Sequence, residues 1–225
     1  MSGLTDQAGG ELPPINKSVE QAHQAWEASM ARQLDTLRQA LLPHDPAVVA
    51  HRAGASFNAQ ALRLSYWNKT VRLSWPDLLA VDETSGKPCS IFDASLLLYY
   101  LSIADGAPLA DRWVSYRELP GGGFYHQAFQ GYSGDRLARS LGEAPERYEA
   151  AARALGGLRL SGLSGLAYRF LPLPRFPLAS ILWPGDDEFP ARATILFDAH
   201  ACHYMIIDGC ALLGSGLVSR LLKIA

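Results

Sequence analysis

The amino-acid sequence predicts an α+β fold, a single domain in which a mainly antiparallel sheet packs against several helices. Three observations favour this class. The chain has 225 residues, of which 48% are hydrophobic and 19% charged, a composition typical of one globular domain. Stretches in which apolar and polar residues alternate occur next to one another, as in hairpins. Helical and strand-like stretches do not alternate regularly along the chain, which disfavours a doubly wound parallel sheet.

The N-terminal region is predicted to divide into a flexible tail and a long helix. Residues 1–16 are rich in glycine, proline and polar residues, so we expect a tail there and a single α+β domain over residues 17–225. After Ser18, apolar residues at spacings of three and four predict one stripe on a helix that Pro43 ends. The stripe consists of Val19, Ala22, Trp26, Met30, Leu34, Leu37 and Leu41. We expect it to pack on its own domain; the alternative is that it forms the face of a homodimer or a face for a partner.

Periodicity and turn residues predict the next elements. A short helix is expected over Asp45–Ala53. Apolar and polar residues alternate over 62–66 and 71–75, with Asn68-Lys69 between them, which predicts an antiparallel hairpin with one face in water. The segment Ile91–Ala104 is apolar on nearly all sides, and its length favours a buried helix over a strand.

The second half of the chain is predicted to form helices and then a sheet. Trp113–Tyr116 is a short extended segment that leads into a glycine-rich stretch. Helices are expected over Phe124–Leu141 and Pro145–Leu155. The last strands and the C-terminal helix are expected at Ala167–Leu171, Leu178–Trp183, Ala193–Phe197 and Asp208–Lys223, with Pro172, Pro174 and Pro177 separating the first two strands.

Charge and composition exclude several classes of function. The chain has 20 Lys and Arg against 22 Asp and Glu, so its overall charge gives no reason to expect binding to nucleic acid or an anionic membrane. No apolar run approaches the ~20 residues of a membrane span, and we find no secretory signal. Cys89, Cys202 and Cys210 are odd in number and lack a CxxC motif, which argues against a disulfide framework and for a cytoplasmic location.

The first candidate site is the glycine-rich stretch Arg117–His126. Three consecutive glycines allow the backbone to approach a ligand closely, and the free N–H groups of a helix that begins near Phe124 could hold an anion. The spacing fits neither a Walker loop nor a dinucleotide fingerprint. A tight loop without a ligand is the alternative. The candidate cofactor-binding residues here are Arg117, Glu118, Gly121, Gly122, Gly123, Tyr125 and His126.

The second candidate site lies near the last strands. Its acidic part, Asp186–Glu188, offers carboxylates for a hard cation, although Asp is also common in solvated turns. Its other part is Asp198–Tyr204, in which His203 and Tyr204 are candidates for cofactor binding. Two imidazoles and a thiolate suit zinc, copper or a haem-type iron, so His200, Cys202 and His203 are candidate metal ligands. The alternative is a pair of surface or capping histidines beside a buried thiol.

Two blocks of sequence carry a family resemblance. They are WVSYRELPGG at Trp113–Gly122, and WPGDDEFP at Trp183–Pro190 followed by LFDAH at Leu196–His200. They resemble the motifs of the bacterial and archaeal family known as domain of unknown function 3786, and the resemblance extends over residues 20–222. The sequence departs from the family pattern at His200, where a small residue such as Ser is expected, and at Met205–Gly209, which replaces an acidic stretch.

The resemblance implies no settled activity. Some members of the family look like the partner of an N-terminal iron–sulfur module similar to that of corrinoid iron–sulfur proteins. This implies a domain that works near corrinoid or other anaerobic redox cofactors, an inference by analogy.

These observations predict a cofactor-binding protein, with a tetrapyrrole (corrinoid or haem) as the expected cofactor, in anaerobic redox or cofactor metabolism. His126 or His203 is the expected axial ligand. One alternative is a hydrolase or transferase assisted by a divalent metal, which would use Asp186–Glu188 and Asp198–His203. Another is a non-catalytic assembly partner of an iron–sulfur or corrinoid protein. Whether the chain is an enzyme is open at this point.

Overall fold

Two antiparallel sheets and several helices make up the part of the chain that the structure describes. In the computed structural model this part is residues 32–225. The expected tail over residues 1–16 and the expected helix start at Ser18 therefore lie outside the described residues. The α+β class is confirmed, with the strands divided between a four-stranded and a five-stranded sheet.

The four-stranded sheet contains the predicted hairpin. Its strands, antiparallel and adjacent in chain order, are β1 (Ser56–Asn58), β2 (Ala61–Tyr66), β3 (Lys69–Ser74) and β4 (Ala80–Asp82). In β2, Leu62 and Leu64 are buried and Ser65 is exposed, as the period of two in a half-buried strand requires.

The turn of this hairpin lies one residue earlier than predicted. Tyr66 pairs with Lys69, so Trp67 and Asn68 form a two-residue turn and Lys69 begins β3. Both turn residues have positive φ, 49° for Trp67 and 62° for Asn68, as a type I′ turn requires. The prediction failed here because a bulky residue such as Trp is uncommon in the left-handed region.

The five-stranded sheet has the strand order β5-β9-β8-β7-β6, with all neighbours antiparallel. These strands are β5 (Trp113–Ser115), β6 (Leu158–Arg159), β7 (Leu166–Leu173), β8 (Phe176–Trp183) and β9 (Arg192–Asp198). The central strand β8 is buried along nearly its whole length, because it has a neighbour on each side and helices against the sheet.

The prolines near β7 and β8 do not separate these strands as expected. Pro172 lies in β7 and Pro177 in β8, and only Pro174 lies in the turn. The pairing register shifts between Phe170 and Leu173, and such an irregularity tolerates a residue without a backbone N–H.

The helices follow the predicted positions closely. They are α1 (described over residues 32–41), α2 (Pro46–Ala53), α3 (Ile91–Ile103), α4 (His126–Tyr132), α5 (Gly134–Leu141), α6 (Pro145–Ala154) and α7 (Ile207–Ile224), with short 3-10 helices at Tyr116–Glu118 and Ala201–His203. Local residues explain several boundaries. Asp45 caps α2 through the N–H of Ala47, Gly54 ends it in the left-handed conformation, and Ser90 caps α3.

The helix predicted over Phe124–Leu141 is in fact two helices. The break lies at Ser133, where φ is -115° and ψ is -91°. Gly134 packs so closely on β9 that a Cβ atom there would lie 2.3 Å from the carbonyl oxygen of Ala193. The chain bends to make this contact, which the apolar periodicity across Ser133 did not reveal.

One continuous hydrophobic core takes residues from both sheets and from the helices. In the described part of the N-terminal stripe, Leu34 and Leu41 are buried in this core and Leu37 packs against it. The described stripe therefore packs on its own domain, as the preferred interpretation held. Among residues 32–225, no helix is both long enough and apolar enough to cross a membrane.

Candidate functional site

Two loops that are distant in sequence meet at one end of the five-stranded sheet. One is the loop over residues 105–111, between α3 and β5; the other is the segment over residues 198–204, between β9 and α7. Trp113 pairs with Asp198 across antiparallel strands, so the start of β5 and the end of β9 coincide. We refer to residues 105–111 and 198–204 together as the two-loop site.

Hydrogen bonds join the two loops. The carboxylate of buried Asp198 accepts from the backbone N–H of Ala110 at 3.0 Å and of His200 at 2.9 Å. Tyr204 is fully buried and donates its hydroxyl to the carbonyl of Ala107. Asp198 and Tyr204 thus fix the shape of the two-loop site from its buried side. Tyr204, a candidate for cofactor binding in the sequence, has this structural role.

His203 and Asp105 form the polar centre of the two-loop site. Nδ1 of His203 lies 2.6 Å from Oδ2 of Asp105, and the two side chains are 45% and 52% exposed. A carboxylate only accepts hydrogen bonds, so Nδ1 carries the proton and Nε2 of the neutral imidazole keeps its lone pair. The hydrogen bond from His203, with another from the N–H of Ala107, lowers the pKa of Asp105 below its ordinary value. The site therefore presents an imidazole lone pair at an accessible position.

His200 is held in the same way beside His203. Its Nδ1 lies 2.8 Å from the carbonyl oxygen of Pro108, which can only accept, so Nδ1 is again the donor. The two imidazole centroids are 5.0 Å apart, with 54° between the ring planes. Both rings are thus oriented by the loop over residues 105–111.

Cys202 lies between these histidines in sequence and contacts a second thiol. A hydrogen bond from the thiol of Cys210, in the first turn of α7, lowers the pKa of Cys202 to about 7, and burial opposes this shift. Burial raises the pKa of Cys210 itself. Half-buried Cys202 is therefore the more reactive thiol of the two, since the thiolate is the nucleophile.

The candidate metal ligands His200, Cys202 and His203 are only partly brought together. The two imidazoles are neighbours, whereas the Cys202 thiol contacts Cys210. In the described residues 32–225, no group of three or more His, Cys, Asp or Glu side chains is placed to hold a metal ion. The metal site stays a prediction.

The glycine-rich stretch reaches the beginning of α7, next to the segment 198–204. A Cβ atom on Gly121 would lie 3.7 Å from Cγ2 of Ile207, and the hydroxyl of Tyr116 donates to the Ile207 carbonyl at 3.4 Å. A Cβ atom on Gly122 would lie only 1.8 Å from the carbonyl oxygen of Tyr116. Packing of the loop on itself therefore explains Gly122, and the positive φ of 80° explains Gly121. The approach of a ligand to Gly121, Gly122 and Gly123 stays a prediction.

The charged residues of this stretch are on the surface. Glu118 accepts from the backbone N–H of Ser115 at 2.8 Å and from its hydroxyl at 2.7 Å, and these bonds lower the pKa of Glu118. Glu118 thus closes a local capping box. Arg117 is exposed. A role of either residue as a polar anchor for a cofactor stays a prediction.

The helix after the glycines begins at His126 rather than near Phe124 and has seven residues. Nδ1 of His126 donates to the carbonyl of Gly123 at 2.8 Å, and Tyr125 is 55% exposed. The lone pair of Nε2 is therefore available on His126 as well, but its Nδ1 donates to a backbone carbonyl and not to a carboxylate.

The acidic turn lies at the opposite end of β9 from the two-loop site. Oδ1 of Asp186 accepts from the N–H groups of Glu188 at 2.9 Å and Phe189 at 2.7 Å, the pattern of a local Asx turn. The seven residues of β9 separate this turn from Asp198, a span of roughly 20 Å at ~3.3 Å per residue. The structure therefore does not bring Asp186–Glu188 and Asp198–His203 into one centre.

Sequence reasoning missed the partner of His203. Asp105 directly follows the predicted helix Ile91–Ala104 and was not among the candidate site residues. The available signal was its place in the run DGAPLAD, directly before the block that begins near Trp113. The contact of Cys202 with Cys210 was missed as well, because two cysteines eight positions apart do not form a recognisable motif such as CxxC.

Comparison with known proteins gives one match. Residues 45–220 match the family model described as Domain of unknown function (DUF3786). The matched range includes the whole two-loop site and the glycine-rich stretch. No curated protein and no solved structure matches the chain significantly.

Proposed function

The chain belongs to the family of the domain of unknown function (DUF3786), whose model matches more than half of its residues, and we propose that it binds a metal-centred tetrapyrrole, a corrinoid or a haem, with His203 as the axial ligand. The observation that carries the proposal is the 2.6 Å hydrogen bond between Nδ1 of His203 and the carboxylate of Asp105.

This hydrogen bond is typical of metal-binding histidines. A histidine that binds a metal ion usually donates its other ring N–H to a carboxylate or a carbonyl, which fixes the tautomer and orients the ring. The bond also makes the free nitrogen a better electron-pair donor. Nε2 of His203 has both properties, and the loop over residues 105–111 holds its ring in place.

His203 is favoured over His126, the other expected axial ligand. Both present Nε2, but the ring of His126 is backed by a neutral carbonyl and that of His203 by a carboxylate. A negative charge on the second partner strengthens electron donation to a metal more than a carbonyl does.

The exposure of His203 defines how a cofactor would bind. Since its side chain is 45% exposed, His203 would hold a tetrapyrrole through Nε2 at the surface of the chain. A partner such as an iron–sulfur or corrinoid protein would reach a cofactor held there from the surface. Such a cofactor supplies redox or radical chemistry when bound, and this chain contributes the imidazole and the fixed position of its proton on Nδ1.

The test is retention of a chromophore. The purified chain is incubated anaerobically with hydroxocobalamin or with haemin, passed through a desalting column, and examined by visible absorption. We expect one of the two to be retained stoichiometrically with a shifted spectrum, and the retained compound identifies the cofactor. His203→Ala should abolish the shift, whereas His51→Ala, which changes an exposed histidine on α2, should keep it. Loss of both compounds on the column, or an unchanged spectrum in His203→Ala, contradicts the proposal.

A further inference from the structure

A cavity of about 510 Å³ lies between the β2–β3 hairpin and the C-terminal end of α7. The loop after β4 and the first turn of α3 complete its wall. Its size falls in the range of small-molecule sites, roughly 300–1,000 Å³. It shares no lining residue with the two-loop site, so what it binds is independent of the proposed tetrapyrrole.

The cavity has an excess of positive charge. Lys87, Arg220 and Lys223 line it, and none of the three forms an ion pair within residues 32–225. The fourth cation, Lys69, is paired with Asp82 at 2.8 Å. A second acid in the wall, Asp93, is bound by neutral donors, the hydroxyls of Tyr66 at 2.6 Å and Ser90 at 2.7 Å. Three cations are thus left without a carboxylate partner in the described part of the chain.

Trp67 has an unusual position in the cavity wall. It is a bulky residue with φ of 49°, in a turn whose usual residues are Asn and Gly. Such a backbone conformation is unfavourable for Trp and persists only where the surroundings hold it. In addition, Nε1 of Trp67 is buried and has no hydrogen-bond partner among the described residues. The positive φ belongs to the hairpin turn, whereas the buried N–H without a partner is expected of a residue that serves a ligand site, because it does not stabilise the fold.

Arg220 is held against this indole. Its Cζ atom lies 4.2 Å from the centroid of the Trp67 ring, a cation–π contact. One guanidinium nitrogen donates to the carbonyl of Gly216 at 3.2 Å, and a Cβ atom on Gly216 would crowd that nitrogen at 3.1 Å. The guanidinium is therefore fixed in position, with further N–H groups available to an acceptor.

We propose that this cavity binds a small polyanion, a phosphorylated or polycarboxylic molecule, through Lys87, Arg220 and Lys223, with Trp67 as the platform that positions Arg220. A fixed guanidinium matches the oxygens of a phosphate or carboxylate, and two lysines add point charges. Two or more negative charges on the ligand neutralise the excess of cations.

Isothermal titration calorimetry of the full chain with inorganic pyrophosphate and with citrate tests this proposal. We expect at least one of them to bind with a stoichiometry of one per chain, and the comparison distinguishes a phosphate ligand from a carboxylate ligand. Arg220→Gln should weaken binding by roughly tenfold or more, since it removes the charged donor of a charge-assisted hydrogen bond. Lys87→Gln and Lys223→Gln change exposed side chains, so they keep the fold intact and should each weaken binding severalfold.

The matched control is Arg112→Gln, which removes one positive charge from an exposed residue that does not line the cavity. Affinity equal to that of the unmodified chain in this control, with weaker binding in the three cavity variants, supports the proposal. Two results overturn it: no heat of binding with either probe at millimolar concentration, or equal weakening by Arg112→Gln and by the cavity variants.

Discussion

At the residue scale, the proton position on three imidazoles determines what they can bind. Nδ1 of His126, His200 and His203 donates to a carbonyl, a carbonyl and a carboxylate, respectively. Each neutral ring therefore keeps the lone pair of Nε2 available. Only His203 has a negatively charged partner, so its Nε2 is expected to be the strongest metal ligand of the three.

We predict that Cys202 is the most reactive of the three cysteines in the cofactor-free chain. With a pKa of about 7, roughly half of its thiol is ionised at neutral pH. Burial raises the pKa of Cys89 and of Cys210, so both stay protonated there. Alkylation by iodoacetamide, followed by mass spectrometry from pH 5 to 9, should show Cys202 modified first, with a midpoint near pH 7.

The variant Cys210→Ala provides the control for this prediction. It removes the hydrogen bond that is the main cause of the low pKa of Cys202, so the midpoint of Cys202 alkylation should move up toward the ordinary thiol value. The explanation is wrong if the midpoint stays near pH 7 in Cys210→Ala, or if Cys89 reacts faster than Cys202 in the unmodified chain.

The sequence could identify His203 as a candidate ligand, but it could not identify Asp105 as its hydrogen-bond partner or show which ring nitrogen carries the proton. Asp105 is 98 residues away in the chain, and the pairing of β5 with β9 and the hydrogen bonds between the two loops bring the two residues together. No periodicity within one element contains that information. Contacts between distant loops also decide the role of Tyr204. The sequence suggested it as a cofactor-binding residue, whereas in the structure it is buried and supports the loop.

At the scale of elements, the glycine-rich stretch shows how a motif suggestive of ligand binding can be required for folding. Gly122 has no room for a side chain, because a Cβ atom would overlap the Tyr116 carbonyl oxygen at 1.8 Å. Gly123 has nothing within 4 Å of its Cβ position. Two adjacent glycines thus have opposite tolerance to substitution.

We predict that Gly122→Ala lowers the free energy of unfolding by ~2–3 kcal/mol, because the 3-10 turn at Tyr116–Glu118 must move to accept the methyl group. Gly123→Ala is the matched control and should change stability by less than ~0.5 kcal/mol. Urea unfolding of both variants measures the difference. Equal stability of the two variants would show that this loop moves freely and is not packed as described.

The elements that sequence patterns predicted well are those long enough to show a period. The β2–β3 hairpin and the helices α3 and α7 each extend over several repeats of their pattern. The strands β1, β4 and β6 have three, three and two residues, too few to define alternation. They exist because a longer neighbouring strand offers them hydrogen bonds, which is a tertiary effect.

At the scale of the whole molecule, Tyr100 connects elements on both sides of the core. This fully buried residue of α3 donates to the carbonyl of Ala53 at 2.6 Å and accepts from the N–H of Arg175 at 2.9 Å. Ala53 ends α2, and Arg175 lies in the turn between β7 and β8. One hydroxyl thus links the N-terminal helices to the five-stranded sheet.

We predict that Tyr100→Phe lowers the free energy of unfolding by ~1–3 kcal/mol, because two backbone groups lose their partner in a buried position. Thermal unfolding should show a midpoint lower by roughly 2–10 °C for a chain of this size. Tyr125→Phe, at an exposed position, is the control and should leave the midpoint unchanged. A stability of Tyr100→Phe equal to that of the control would mean that other contacts hold these elements together.

In the proposed function, His203, supported by Asp105, is the axial ligand of a bound tetrapyrrole. The most direct test is the dissociation constant for whichever of haemin or hydroxocobalamin the chain retains, measured by absorption titration. We predict that His203→Ala weakens binding by at least ~100-fold and Asp105→Asn by ~10–100-fold, since the second partner of a metal-binding histidine contributes that much to affinity. His126→Ala should bind as the unmodified chain does. Equal affinity of His203→Ala and the unmodified chain, or a larger loss in His126→Ala, would contradict the assignment of His203.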